Sequence, residues 1–396
     1  MTSTAILGQL SSLYEMQLHL LESVPEAEAA RQFQPHLPSL NWYYARGVYL
    51  ELHWLRAVVA GDDDLAQRVS QLLEPGALPL SEQCERLPPR SHLVSWASEI
   101  RDEHLRRLST PGALPATDLT ASDRLQWYLL QEQARLYESM LEALNQRRLQ
   151  ADDIGHRCTV PLAVATPEWQ TREISQGHYR IGARDEPRAY DIELPPQAVE
   201  LSSFRIALAP VSNAQYLAFM QAGGYADAAL WTDEGRQWLD ASQTRHPAYW
   251  RRDANGDWYE AALNGNADLP PDEPVAGITR FEAEAFAHWA GQTDSAYEGA
   301  VVQHEYQWEI AARSGVLQQT GRVWEWCGNA FHTYPEYHPF PGDVAPADAT
   351  AGVLRGASLH TQQVLRRPSF RLPTAPYEHH HFAGSRLVFP PKHQWN

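Results

Sequence analysis

The segment GRVWEWCGNAFHTYPEYHPF, residues 321–340, sets the reading of the whole chain. Trp324 and Trp326 flank a carboxylate, Glu325, and an aromatic and proline-rich run with Tyr334, Tyr337 and His338 follows. Proline removes a backbone donor and fixes φ, so a packed loop is predicted here rather than a long regular helix or strand. Fourteen tryptophans among 396 residues suit a domain of long packed loops, because each buried indole removes a large apolar area from water. The tail at 355–388 reads together with this segment.

Composition narrows the partners. A net charge of -17 excludes a broad nucleic-acid or anionic-membrane surface, which needs clustered Lys and Arg, and reads as solubility. No run approaches the roughly 18 apolar residues of a membrane span. The N-terminus MTSTAILGQLSSLYEMQ has no basic stretch before an apolar core, so a cytoplasmic protein is expected. Cys84, Cys158 and Cys327 are odd in number and widely spaced, giving neither a disulfide framework nor a CxxC metal site.

The first part of the chain has helical periodicity over 6–21, 40–59, 93–108 and 122–149, with proline-rich loops at 74–79 and 87–89. Four such helices predict an up-and-down bundle. Thr120 and Asp123 stand at capping-box spacing before the last helix, whose apolar face runs Leu125, Leu129, Glu132, Leu136, Met140, Ala143. Glu132 inside that stripe must be paired, protonated or bound, because a dry unpaired charge costs roughly several kcal/mol. After His156 the helical period gives way to short alternating segments. Strands are expected at 178–182 and 198–207, and helices at 212–219, 281–289 and 306–312. The boundary is placed between 155 and 156.

The GxVWEW at 321–326, the RGxS at 355–358 and the FxGxR at 382–386 together resemble the sulfatase-modifying-factor family. That family includes the formylglycine-generating enzymes and the iron-dependent sulfoxide synthases of ergothioneine and ovothiol biosynthesis. The resemblance continues through PVSNAQYLAF at 210–219, YWRR at 249–252, DEPV at 272–275, WAG at 289–291 and WE at 308–309. GGY at 223–225, LW at 230–231 and DEG at 233–235 favour the sulfoxide synthases. The formylglycine branch carries a paired-cysteine copper site near RGxS, and 359–371 holds no cysteine. What the resemblance implies is an α+β protein: a DinB-like four-helix bundle over 1–155, then a C-type-lectin-like formylglycine-generating-enzyme (sulfatase-modifying factor) domain over 156–396, with substrates between them.

It also implies iron(II) held by three histidines, one from a WHxxH motif and two from HxxxHxE. Here the first resembles WYYAR at 42–46, followed by Glu51 and Trp54, and the second EQARLYE at 132–138. Tyr43, Glu132 and Leu136 therefore stand at the ligand positions, and Glu138 at the final glutamate. Leu136 offers no donor and 121–150 contains no histidine, so no metal is expected at these positions. By the same resemblance, Tyr334 is the candidate catalytic residue. Arg367, Arg371, Glu378 and His380 are candidates for substrate binding, with Glu378 where some members carry a cation. In an extended chain His379 and His381 face one side, and Glu378 with His380 the other, so at most two of the three histidines converge. The run reads as structural or solvated before it reads as a metal site. Arg386 is expected in a fold-stabilising ion pair.

Two functional readings stand. One is a nonheme-iron-type, oxygen-dependent enzyme that joins a thiol sulfur to an imidazole substrate, diverged in chemistry or substrate. The other is a catalytically inactive relative whose inter-domain cleft binds a small molecule or a protein partner.

Overall fold

The computed structural model describes residues 3–151, 156–165, 167–184, 186–263, 265–340 and 350–391. The boundary expected between 155 and 156 adjoins residues 152–155, outside the described residues.

Helices fill the first part and sheets the second, giving an α+β chain. The four long helices, Ser3–Glu22, Leu40–Glu51, Arg90–Ser109 and Arg124–Leu149, pack on one another. The Ser39 hydroxyl caps the second by accepting from the Trp42 amide at 3.3 Å. That helix continues as π-helical Leu52–Ala60 and stops at Gly61, whose φ of 70° suits a residue without Cβ. Two further helices, Asp64–Leu73 and Leu80–Glu85, lie in the connection. The predicted capping box at the last helix is absent. Thr120 is spent on a turn with Thr117, Asp123 is left-handed, and the helix begins at Arg124. Among the described residues no helix is long and apolar enough to cross a membrane.

The second part holds two four-stranded sheets. The first orders Thr171–Ile174, Phe204–Ala207, Leu387–Phe389 and Val301–Val302, all antiparallel. The second orders Leu372–Thr374, Gly352–Gly356, Trp324–Ala330 and Ala383–Ser385, the last pair parallel. The VWEW motif is thus not a loop but the start of a central strand whose first four residues, Trp324 to Cys327, are all buried. A strand covered on both faces loses the inside–outside alternation, and the prolines that suggested a loop begin only at Pro335, beyond it.

Helices Asn213–Gln221, Arg280–Thr293 and Glu305–Arg313 follow their predicted positions. Ser212 with Gln215 and Thr279 with Glu282 form capping boxes on the first two. The helix Asp233–Ser242, capped by Thr232, was not expected. Buried charge holds the sheet domain together. Arg386 meets Glu325 at 2.7 and 2.9 Å, and Arg355 meets Glu309 at 2.5 Å.

Candidate functional site at the seam

The long helix Arg124–Leu149 carries three carboxylates to the sheet domain. Glu132 accepts from the Tyr190 hydroxyl at 2.7 Å and pairs with Arg135 at 3.0 Å; its predicted need of a partner is met. Glu138 Oε1 accepts from Trp324 Nε1 at 2.9 Å, Ser358 Oγ at 2.5 Å and Thr361 Oγ1 at 2.9 Å. Two of these donors come from the VWEW and RGxS motifs, so the retained glutamate joins the two halves. Burial raises its pKa.

One turn further on, Glu142 is 3% exposed. Its Oε1 lies 2.8 Å from His381 Nδ1 and its Oε2 lies 4.0 Å from His380 Nε2. Burial pushes its carboxyl up to about 7 and the His381 imidazole down to about 4. The far nitrogens are held too: His380 Nδ1 lies 2.8 Å from Glu378 Oε2, and His381 Nε2 lies 2.8 Å from Thr374 Oγ1. Burial raises Glu378, but the hydrogen bond and charge of His380 outweigh it and leave the carboxyl low. The Tyr249 hydroxyl donates to the carbonyls of His380 and His381 at 2.7 and 2.8 Å and fixes the loop.

The expected alternation of the histidines does not hold. The chain turns at 376–377 and bends at 381–382, so sequence neighbours His380 and His381 both face Glu142 while His379 approaches Gln34 Nε2 at 3.5 Å. All three are half-buried rather than solvated. Glu378 and His380 are thereby brought together as candidates. Glu142 and His381 were missed; the one available signal was that Glu142 stands four residues after Glu138, on the same helical face.

The family's iron positions do not fit iron. Tyr43 is buried beside Ser139, Glu142 and Cys84, and burial, followed by the Glu142 charge, raises its phenol. Leu136 packs on the apolar core of the bundle. Glu132, already paired, lies seven to ten residues before Tyr43's neighbours, about 10–15 Å along the helix at 1.5 Å per residue. Tyr43 and Leu136 meet in one apolar cluster while Glu132 is turned to Tyr190 and Arg135, so the three groups are a protonated phenol, a hydrocarbon and an occupied carboxylate.

Tyr334, Arg367 and Arg371 lie apart from this cluster. Tyr334 is 2% exposed, its ring 4.3 Å from the Arg371 guanidinium, and burial pushes its phenol up. Arg371 is bidentate on Glu305 at 2.7 and 2.8 Å, and Arg367 pairs with Glu193. Both guanidiniums are held inside the sheet domain. A cavity of about 520 Å³ does open on the seam, lined by Gln34, Gln146 and Gln150 on one side and Arg245, Arg251 and His379 on the other. Arg251 donates to the carbonyls of Ala248 and Trp250, and Arg245 to Thr244 O and Gln243 Oε1. Neither pairs with a carboxylate among the described residues.

Residues 163–320 match the sulfatase-modifying factor enzyme 1-like domain. The chain is 28% identical to a hercynine oxygenase of Mycolicibacterium thermoresistibile, over 92% of this chain and 90% of that protein. It is 27% identical to the hercynine oxygenase of Mycolicibacterium smegmatis, over 96% and 97%. Similarity to a formylglycine-generating enzyme of Thermomonospora curvata, at 31%, covers 37% of this chain and 49% of that one. The chain thus carries a sulfatase-modifying-factor-like domain behind a helical first part and is similar along nearly its whole length to hercynine oxygenases.

Proposed function

We propose that this protein is a diverged sulfoxide-synthase relative that has left the family's three-imidazole iron(II) chemistry and binds a small anionic molecule at the seam between its bundle and its sheet domain. The observation that carries this is the set at the family positions: Tyr43 and Leu136 pack together in the bundle core, Leu136 has no donor atom, and Glu132 is already held by Tyr190, so they do not supply three ligands. Arg245 and Arg251, without carboxylate partners among the described residues, line the cavity of about 520 Å³ together with Glu282, and these two guanidiniums support an anionic ligand. Charge-assisted bonds to guanidinium are the usual way to hold a carboxylate.

The test is turnover. Full-length protein is incubated with iron(II), dioxygen, hercynine and either cysteine or γ-glutamylcysteine, and oxygen uptake and the mass of any carbon–sulfur product are followed. No product above the protein-free control is expected. A sulfoxide product formed over many turnovers overturns the proposal.

A second reading, an oxidoreductase with a relocated metal, is favoured by Glu142, His380 and His381.

A further inference from the structure

Glu142 reaches the seam from the bundle, and His380 and His381 reach it from the loop before FxGxR. One ligand atom from each lies within 4.8 Å of the other two. Each imidazole turns one nitrogen toward Glu142 while its other nitrogen is tied, His380 by the Glu378 carboxylate and His381 by the Thr374 hydroxyl. Metal-binding histidines need this outer partner, because it fixes both the tautomer and the ring orientation. His380 Nε2 is aimed at Glu142 from 4.0 Å, beyond a hydrogen bond. Donors each about 2.1 Å from a tetrahedral ion lie about 3.4 Å apart, and the separations of 2.8 and 4.0 Å bracket that value.

The other histidine–carboxylate group behaves differently. His156, Cys158 and Asp268 also lie close together, but Asp268 accepts the amides of Thr159 and Val160 at 3.0 and 2.9 Å besides His156. Cys158 Sγ bonds to Trp258 O at 3.5 Å. That carboxylate is consumed in tying its own loop.

We propose that Glu142, His380 and His381 bind one divalent first-row transition-metal ion across the seam, with Glu378 and Thr374 as the outer partners of the imidazoles. Two imidazoles and one carboxylate suit zinc or iron(II) and leave a coordination position for a ligand. The set shares no residue with Tyr43, Glu132 or Leu136, so the proposal is independent of the functional reading above.

Full-length protein freed of metal by a chelator is titrated anaerobically with cobalt(II), and stoichiometry is checked by elemental analysis with zinc(II) in competition. One cobalt per chain with visible d–d absorption is expected. His380→Ala and His381→Ala should each abolish that signal with the far-ultraviolet dichroism unchanged. Glu378→Gln should weaken binding about ten- to a hundredfold, the effect of losing an outer-sphere partner. If an alanine variant fails to fold, Glu142→Gln keeps the shape and removes the charged ligand. Absence of a stoichiometric ion, or cobalt absorption unchanged in the folded variants, overturns the site. Product in the turnover assay overturns the functional proposal alone, and absence of metal overturns this one alone.

Discussion

At the level of single residues, the roles divide by whether a charge is already matched. Arg371 is 1% exposed and bidentate on Glu305, so Arg371→Met strands a buried carboxylate. We expect a loss of about 3–5 kcal/mol in denaturant unfolding; a change in ligand binding at unchanged stability would contradict this placement. Gly47 is a second case. A Cβ there would meet Gln133 Oε1 at 2.7 Å and Arg101 Nη2 at 3.1 Å, inside a buried network that includes Gln17 and Glu51. Gly47→Ala should destabilise by about 1–3 kcal/mol through overpacking, measured as a fall in the denaturation midpoint. The sequence showed that Glu132 needed a partner and that Arg386 would be in an ion pair. It did not show Glu142 with His381, because those residues are 239 apart and only the fold makes them neighbours.

Elements were legible where local chemistry alone decides them. Ser212 and the helical period after it announced Asn213–Gln221, whose capping box is formed as the spacing allows. Trp324–Ala330 was not legible as a strand, since burial on both faces erased the alternation and the partners of Glu325, Gln303 and the distant Arg386, are set by the fold. The capping box of Arg280–Thr293 gives a pH prediction. Glu282 is buried, accepts from Tyr225 at 2.5 Å and from the Thr279 amide at 2.8 Å, and burial raises its pKa to about 7. Between the ordinary carboxylate value and about 7 the folded state binds more protons than the unfolded one. Its contribution is complete below the ordinary value and is lost as pH rises through about 7. Relative to Glu282→Gln, the wild type should lose about 3 kcal/mol between pH 4 and 8, at about 1.4 kcal/mol per pH unit. Parallel stability curves for the two proteins would contradict this.

Over the whole molecule, the order of a helical part followed by a sheet domain was legible from periodicity and motifs, whereas the detailed seam was not. The seam is built along one helix: Glu132 meets Tyr190, Glu138 meets Trp324, Ser358 and Thr361, Glu142 meets His381, and Arg148 meets Asn266 at 2.9 Å. Glu138→Ala leaves three donors without their acceptor. It should cost about 3 kcal/mol and lower the calorimetric transition; an unchanged transition would show that the halves are held elsewhere. Metal chemistry, as proposed above, has left Tyr43, Glu132 and Leu136. The most direct measurement is anomalous diffraction at the cobalt edge from crystals of the protein loaded with cobalt(II). One peak among Glu142, His380 and His381, with none at the family positions, is the predicted result. A peak bounded by Tyr43, Glu132 and Leu136 would contradict it.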